Sequence, residues 1–452
     1  MSIDFLLRLV PALAIALLIL LIVIRHQRLT LFVLLAATIA TGLRDYDIPV
    51  GTTFGPLYVS VFDVLLVAFV AVSVARWQFI RLRGWELAAL LALSLLMLTG
   101  LFTWIASEGL ETAVVRWRYW LYLVGALWWV FSVRRNWKLS DLQVVVLAGW
   151  ISSLFFVVGV ARGGFGSNST RVLLDGQLVS ARPVNAAVSL IVLMAFWVVV
   201  FDSSRRTVVR MTSASVFLGV VLLSQHRSVW LAAFTSGAVA MIAYARRDQR
   251  WSWDRLSLGI GLVILSILLA RGALQSFNFL WQSANDDRTW TWRFDGWRDR
   301  LATMDSPVDL LFGGIGGPVG PAAVGAFATS AHSMFIEPLL MLGVLGSTIL
   351  WFLWLSLILR RASLSRLVYV IGAILASFGI AYQWPLVPAV LAAVVVAISR
   401  NIAHELPSLK DGPRQNHLRG PKSDSQQDLA VAENSSREVV VNRTRQMGLN
   451  TR

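Results

Sequence analysis

The chain has no cysteine, which excludes disulfides, thiolate metal sites and cysteine nucleophiles together. Charge is scarce as well. Asp, Glu, Lys and Arg make up 14% of 452 residues against 57% hydrophobic ones, and the mean hydropathy is +0.67. A chain so poor in charge is not an ordinary soluble domain. Histidine is rare, at five residues, so any histidine beside a polar segment is a candidate for proton transfer. Basic residues outnumber acidic ones by 40 to 25, for a net charge of +15. The arginines, however, fall in short clusters between apolar runs, which argues against a nucleic-acid surface and for a membrane topology signal.

What remains is a series of long apolar runs. Many approach roughly twenty residues, the length that crosses a hydrocarbon core as a helix. Thirteen spans are predicted, near residues 4–24, 29–43, 57–75, 86–106, 114–133, 140–161, 183–202, 207–223, 228–244, 256–270, 333–358, 366–382 and 385–399. The first is a full span rather than a short cleavable leader. Loops after odd-numbered spans hold about 18 basic residues against about 7 in the short even-numbered loops, which puts the odd loops in the cytoplasm, the N-terminus outside and the C-terminus inside. The expected fold is all-α, a polytopic membrane helical bundle of about 12–13 transmembrane helices over residues 1–400, with one long extracytoplasmic loop at 271–332 containing short helices. Residues 401–452 lack apolar periodicity and are rich in Ser, Asn, Gln, Arg and Asp; a disordered cytoplasmic tail is expected there.

Four of the even loops, 43–56, 162–182, 224–227 and the long 271–332 segment, carry arginines, which a translocated loop has no topological reason to keep. Cations on that face suit an anionic ligand; snorkelling to lipid headgroups is the plainer account. Arg227 begins an apolar run in Gln225-His226-Arg227-Ser228, where an unpaired guanidinium is costly to desolvate. Arg293 lies among Trp290, Trp292 and Trp297; on a helix it shares a face with Trp297, as an interfacial amphipathic helix or as a guanidinium offered to phosphate. His332 opens a span, followed by Ser333 and, about one turn into the helix, Glu337. It can exchange a proton near neutral pH, although histidines at helix starts also serve as caps. The Gly313–Gly320 stretch has no strand-then-helix context for a nucleotide fold and reads as a loop permitting close backbone approach. The sequon Asn168-Ser169-Thr170 reads as accidental.

Taken in order, Arg227-Ser228-x-x-Leu231, Trp292-Arg293-x-x-x-Trp297, Ser306-Pro307-x-x-x-Leu311-Phe312-Gly313, and His332-Ser333-x-x-Ile336-Glu337-x-Leu339-x-x-x-Gly343-x-x-Gly346 resemble the O-antigen ligase and O-antigen polymerase superfamily. The resemblance covers about residues 180–350, and the His332 block is its most specific part. The chain departs from the pattern where the family's acid a turn before Gly343 is replaced by Leu340 and Met341, with Glu337 earlier. The resemblance implies a glycosyltransferase of the bacterial cytoplasmic membrane, acting on the outer face without a metal or cofactor. Its donor would be an undecaprenyl-diphosphate-linked glycan and its acceptor a glycan, lipid or protein; membrane lipids are further partners. It implies His332 as general base, Arg227 and Arg293 as diphosphate ligands, and Arg171, Arg182, Asn185, Trp297 and Glu337 as further residues lining the substrate.

Rival readings stay open at this level. A repeat-unit polymerase of the same superfamily shares every motif. Asp45 and Asp47 in an early outer loop suit a metal-dependent lipid-linked glycosyltransferase. A glycolipid transporter or flippase would use the arginines as a path, but transporters bury charge near mid-membrane, and most spans here lack central charges. A purely structural membrane protein leaves the ordered Arg227, Arg293 and His332 set without a role.

Overall fold

The computed structural model describes residues 3–42, 51–54, 57–80, 82–133, 137–163, 172–174, 177–179, 183–202, 204–224, 226–245, 288–316, 333–359, 366–380 and 387–401. The predicted span at 256–270 and the tail after 401 lie outside them. The described chain is all-α but for two small antiparallel hairpins. In order it runs α1 (Ile3–Arg25), α2 (Gln27–Gly42), β1 (Gly51–Phe54), β2 (Leu57–Ser60), α3 (Val61–Ala75), α4 (Gly84–Glu108), α5 (Leu110–Ser132) and α6 (Gln143–Gly163). The hairpin β3 (Val172–Leu174) and β4 (Gln177–Val179) leads to α7 (Ala186–Phe201), α8 (Thr207–Leu223) and α9 (Arg227–Ala245). Then come α10 (Arg288–Leu301), α11 (Pro307–Phe312), α12 (Ile336–Leu359), α13 (Arg366–Ile380) and α14 (Val387–Asn401). Three helical segments, Gly84–Glu108, Leu139–Ala161 and Ile336–Leu359, are long and apolar enough to cross a membrane.

Local chemistry sets the helix starts. The predicted span from residue 57 begins as a helix only at Val61, because β-formers Thr52, Thr53, Tyr58 and Val59 pair across the first hairpin. The same device then recurs, a carboxylate three residues into a helix reaching back to the cap amide. Asp63 accepts from Ser60 N at 2.7 Å, Glu86 from Arg83 N at 3.0 Å, and Asp141 from Lys138 N at 2.8 Å. Asn185 and Ser306 cap α7 and α11 with their own side chains, accepting from Val188 N and Asp309 N, each at 3.0 Å. Between α4 and α5 a single residue, Gly109 at φ 85°, reverses the chain.

Packing follows the apolar pattern but not the sidedness of a soluble protein. Leu90, Leu93 and Met97 of α4 are buried, while Leu95 and Phe102 on the other side are about two-thirds exposed. A helix apolar all round is made for lipid or for the inside of a large core. Polar contacts sort the helix ends into two sets. At one end Arg400 Nη2 meets both oxygens of Glu86 at 2.9 and 3.2 Å, joining the end of α14 to the start of α4. There too Asp141 pairs with Arg28 of α2, and Asp202 at the end of α7 accepts from Gln143 Nε2 of α6 at 2.6 Å. At the other end, the starts of α7, α9 and α12 gather with the end of α13, and this end carries the candidate site.

Candidate functional site

Arg227 is the first residue of α9 and is half-buried. Its place is fixed by the residue before it. His226 is buried, and its Nε2 lies 2.7 Å from the carbonyl oxygen of Val184. A carbonyl only accepts, so that nitrogen carries the proton and the ring ties the start of α9 to the start of α7. One residue on, Asn185 caps α7. Its sequence-assigned place beside the substrate is therefore at the same junction, where its side chain closes a helix end.

α13 packs along α9 and connects it to α12. Thr235 Oγ1 donates to Ser377 Oγ at 2.7 Å, and the amide of Met334 donates to the carbonyl of Gly379 at 2.8 Å. Thr235 is two turns below Arg227, about 12 Å at 1.5 Å per residue. The segment leading into α12 is thus pinned to the end of the helix that runs beside Arg227. Ser333, buried, begins that segment; its carbonyl accepts from Glu337 N at 3.0 Å and its hydroxyl from Phe335 N at 3.3 Å.

Charged residues also stand near the start of α12. Glu337 is 4% exposed in the first turn of α12. Arg300, near the end of α10, is half-buried, and burial pushes its guanidinium below its usual range. The attraction of Glu337 opposes that push, while the positive charge of Arg116 on α5 adds to it. Arg116 sits over the ring of Trp104, 5.9 Å from its centroid, and the Trp104 indole donates to Gly314 O at 2.5 Å.

Gly314 belongs to the turn Gly313–Gly316 that follows α11, and this turn lies backbone against backbone on α12. Gly343 breaks α12 with φ 64° and ψ −172°. A Cβ there would stand 2.2 Å from Leu311 O, and one on Gly313 (φ 53°) would stand 2.6 Å from Gly343 N. Close approach is what the glycines of this loop were expected to permit, and at Gly313 it occurs.

The tryptophan-rich segment is helical, as α10, so Arg293 and Trp297 are one turn apart on it. Trp297 is half-buried and packs edge-on against Phe294, with centroids 5.2 Å apart. The side chain of Arg293, together with His332, Arg171, Arg182, Asp45 and Asp47, lies outside the described residues. Of the residues singled out in the sequence, the fold brings Arg227 and Asn185 to one helix junction and buries Glu337 in the first turn of α12. Arg116, Arg300 and Trp104 were not singled out. Two signals pointed to the arginines: Arg116 and Arg118 kept in the first half of a largely apolar helix, and the run Arg298-Asp299-Arg300. No protein-family model matches the chain, and a search of curated proteins finds no match.

Proposed function

We propose that the chain is a polytopic membrane glycosyltransferase of about thirteen spans, acting at the outer face of the bacterial cytoplasmic membrane. It transfers a glycan from an undecaprenyl-diphosphate carrier to an acceptor hydroxyl, with inversion and without a metal. The observation that carries this reading is the junction at the start of α12. Met334 is hydrogen-bonded to the end of α13, the helix that packs along α9 below Arg227. His332 is two residues before Met334 in sequence, so the proposed general base directly precedes a segment tied to α13, the helix that packs along the one that Arg227 begins.

The chemistry needs little more. A diphosphate is a good leaving group once its developing charge is neutralised, and arginine forks match its oxygens in two-point contacts. In this scheme Arg227 and Arg293 hold the diphosphate and His332 takes the proton from the acceptor hydroxyl as it attacks the anomeric carbon.

The test is a deletion strain re-expressing wild type or His332→Ala, with lipid-linked and surface glycans resolved by gel. Long polymer stranded on its carrier in the variant means ligase; accumulated single repeats mean polymerase. Wild-type glycans in the variant would remove His332 from the mechanism and move attention to Asp45 and Asp47.

A further inference from the structure

α12 does not run straight through Gly343. Its dihedrals there, φ 64° and ψ −172°, fall in a region that glycine alone adopts readily. Gly109, at φ 85° and ψ 166°, is in the same region, and there α4 folds back on α5 so closely that a Cβ on Gly100 would run into the ring of Trp117. Around Gly343 the pairing repeats. Phe335 and Trp351, eight residues before it and eight after, pack with ring centroids 6.1 Å apart. On a continuous helix that separation is about 24 Å. Met334 likewise lines one apolar crevice with Leu350, Trp351, Leu353, Trp354 and Leu357. α13 gives the level independently. The amide of Met334 donates to Gly379 O, and a Cβ on Gly372 would stand 2.7 Å from Ile358. Seven residues separate Gly372 from Gly379, and seven separate Ile358 from Trp351, about 10 Å in each helix. Met334 is therefore level with Trp351, well down the second arm of α12.

The neighbours of Met334 fix its depth. The same crevice includes Leu123 and Leu127, past the midpoint of α5 (Leu110–Ser132). Ser377, two residues before Gly379, is bonded to Thr235, midway along α9. Ser333 and Glu337, 2% and 4% exposed, thus open α12 inside the bundle. We infer that Ile336–Leu359 is a re-entrant helical hairpin, and that Gly343 at its tip is a positioning residue that sets the depth of the polar segment beginning at Ser333. Only the long arm, residues 344–359, runs the length of a crossing; the short arm, residues 336–342, is about 10 Å long and returns from mid-depth. Irregular backbone within a membrane stands only where protein covers it. The turn after α11 supplies that cover, since a Cβ on Gly313 would stand 2.6 Å from both Gly343 N and Leu340 O. Polar residues held at such depth mark sites of function. The mechanistic consequence rests on the glycan-transfer reading: His332 directly precedes Ser333, so transfer takes place within the bundle and depends on the reversal at Gly343.

The chain has no cysteine, so introduced pairs report the fold directly. Phe335→Cys with Trp351→Cys is treated with a short bifunctional thiol reagent in purified full-length protein that remains monodisperse in detergent, and the linked peptides are read by mass spectrometry. Ser94→Cys with Trp128→Cys, across the α4–α5 hairpin where the two side chains are hydrogen-bonded at 3.0 Å, is the positive control. Both pairs link. A linked control beside an unlinked test pair overturns the hairpin. Met334→Cys with Trp354→Cys, which share the crevice, decides if the first pair fails to fold. The positioning role is read on transfer. Gly343→Ala lowers both cross-linking and transfer by about tenfold, and in that background the cross-linked fraction regains transfer, which a merely structural loss would not allow. Unchanged transfer in Gly343→Ala, or no recovery in its cross-linked fraction, overturns the positioning role while the hairpin stands. If His332→Ala leaves transfer intact and the pair still links, the transferase reading fails and the hairpin again stands.

Discussion

Replacing Arg400 by Met is expected to destabilise this protein strongly, at the end of the helices opposite the candidate site. Glu86 is fully buried and Arg400 is 7% exposed, so their charges are poorly screened by solvent. Removing the guanidinium leaves a carboxylate inside the bundle, a change that costs about 3–5 kcal/mol where one partner of a buried pair is lost. That is roughly two to four decades in the folded population. The pair itself is worth much less, since desolvation offsets most of its attraction. Glu86→Gln combined with Arg400→Met should therefore recover stability to within about 1–2 kcal/mol of wild type, because the amide oxygen still accepts from Arg83 N and caps α4. The assay is denaturant titration in mild detergent, followed by tryptophan fluorescence and by size exclusion. A double variant as unstable as Arg400→Met alone would refute the reasoning, since the penalty would then belong to lost packing rather than to a stranded charge.

Gly343→Ala should detach the α11 turn from α12, because a positive φ with ψ near 180° costs a residue other than glycine about 1–3 kcal/mol and the Cβ meets the backbone of Leu311. Faster hydrogen exchange across Leu311–Gly314 is the readout. Gly237→Ala, in α9 with open space around it, is the control and should be neutral or stabilising by about 0.5–1 kcal/mol. Asp202 is predicted to support stability above pH 3.8, its ordinary value. Burial raises its pKa, but hydrogen bonds from Ser204, Gln143 and Arg205 more than offset this and lower it in the folded state. Its contribution is thus present above the unfolded value and lost as pH falls through the folded one. The gap between wild type and Asp202→Asn should close on acidification, and a constant gap from pH 7 to pH 3 would contradict this. Arg227→Ala should weaken donor binding and Arg227→Lys restore it only in part, measured with purified lipid-linked donor.

Much of the helical layout was legible because run length and charge bias are sequence properties. The span expected at 207–223 is α8, Thr207–Leu223, and that at 228–244 is α9, Arg227–Ala245, within a residue at each end. What failed did so for local reasons. Leu57-Tyr58-Val59-Ser60 reads as apolar, but it is a strand whose cross-strand partners begin at Gly51, and hydropathy does not distinguish a short strand from a helix turn. α5 begins at Leu110 rather than near 114 because Gly109 turns the chain in one residue. The break at Gly343 was invisible, since the sequence is evenly apolar on both sides of it. At the candidate site, Arg227 was singled out by its place at a boundary, whereas nothing in the sequence ties Arg300 to Glu337, whose charge bears on it.

The contact between the α11 turn and α12 has a consequence for how freely this region can diverge. The two segments meet through main-chain atoms, while Val308, Leu310 and Leu311 leave about half their surface uncovered. A contact made by backbone does not constrain the identity of the side chains around it. Saturation mutagenesis should therefore find α11 permissive along its length, and two positions outside it intolerant, Gly313 in the following turn and Gly343 in α12, at which a single methyl group separates the pieces. Relatives of this chain would be recognised there by a pair of spaced glycines in an otherwise unalignable loop.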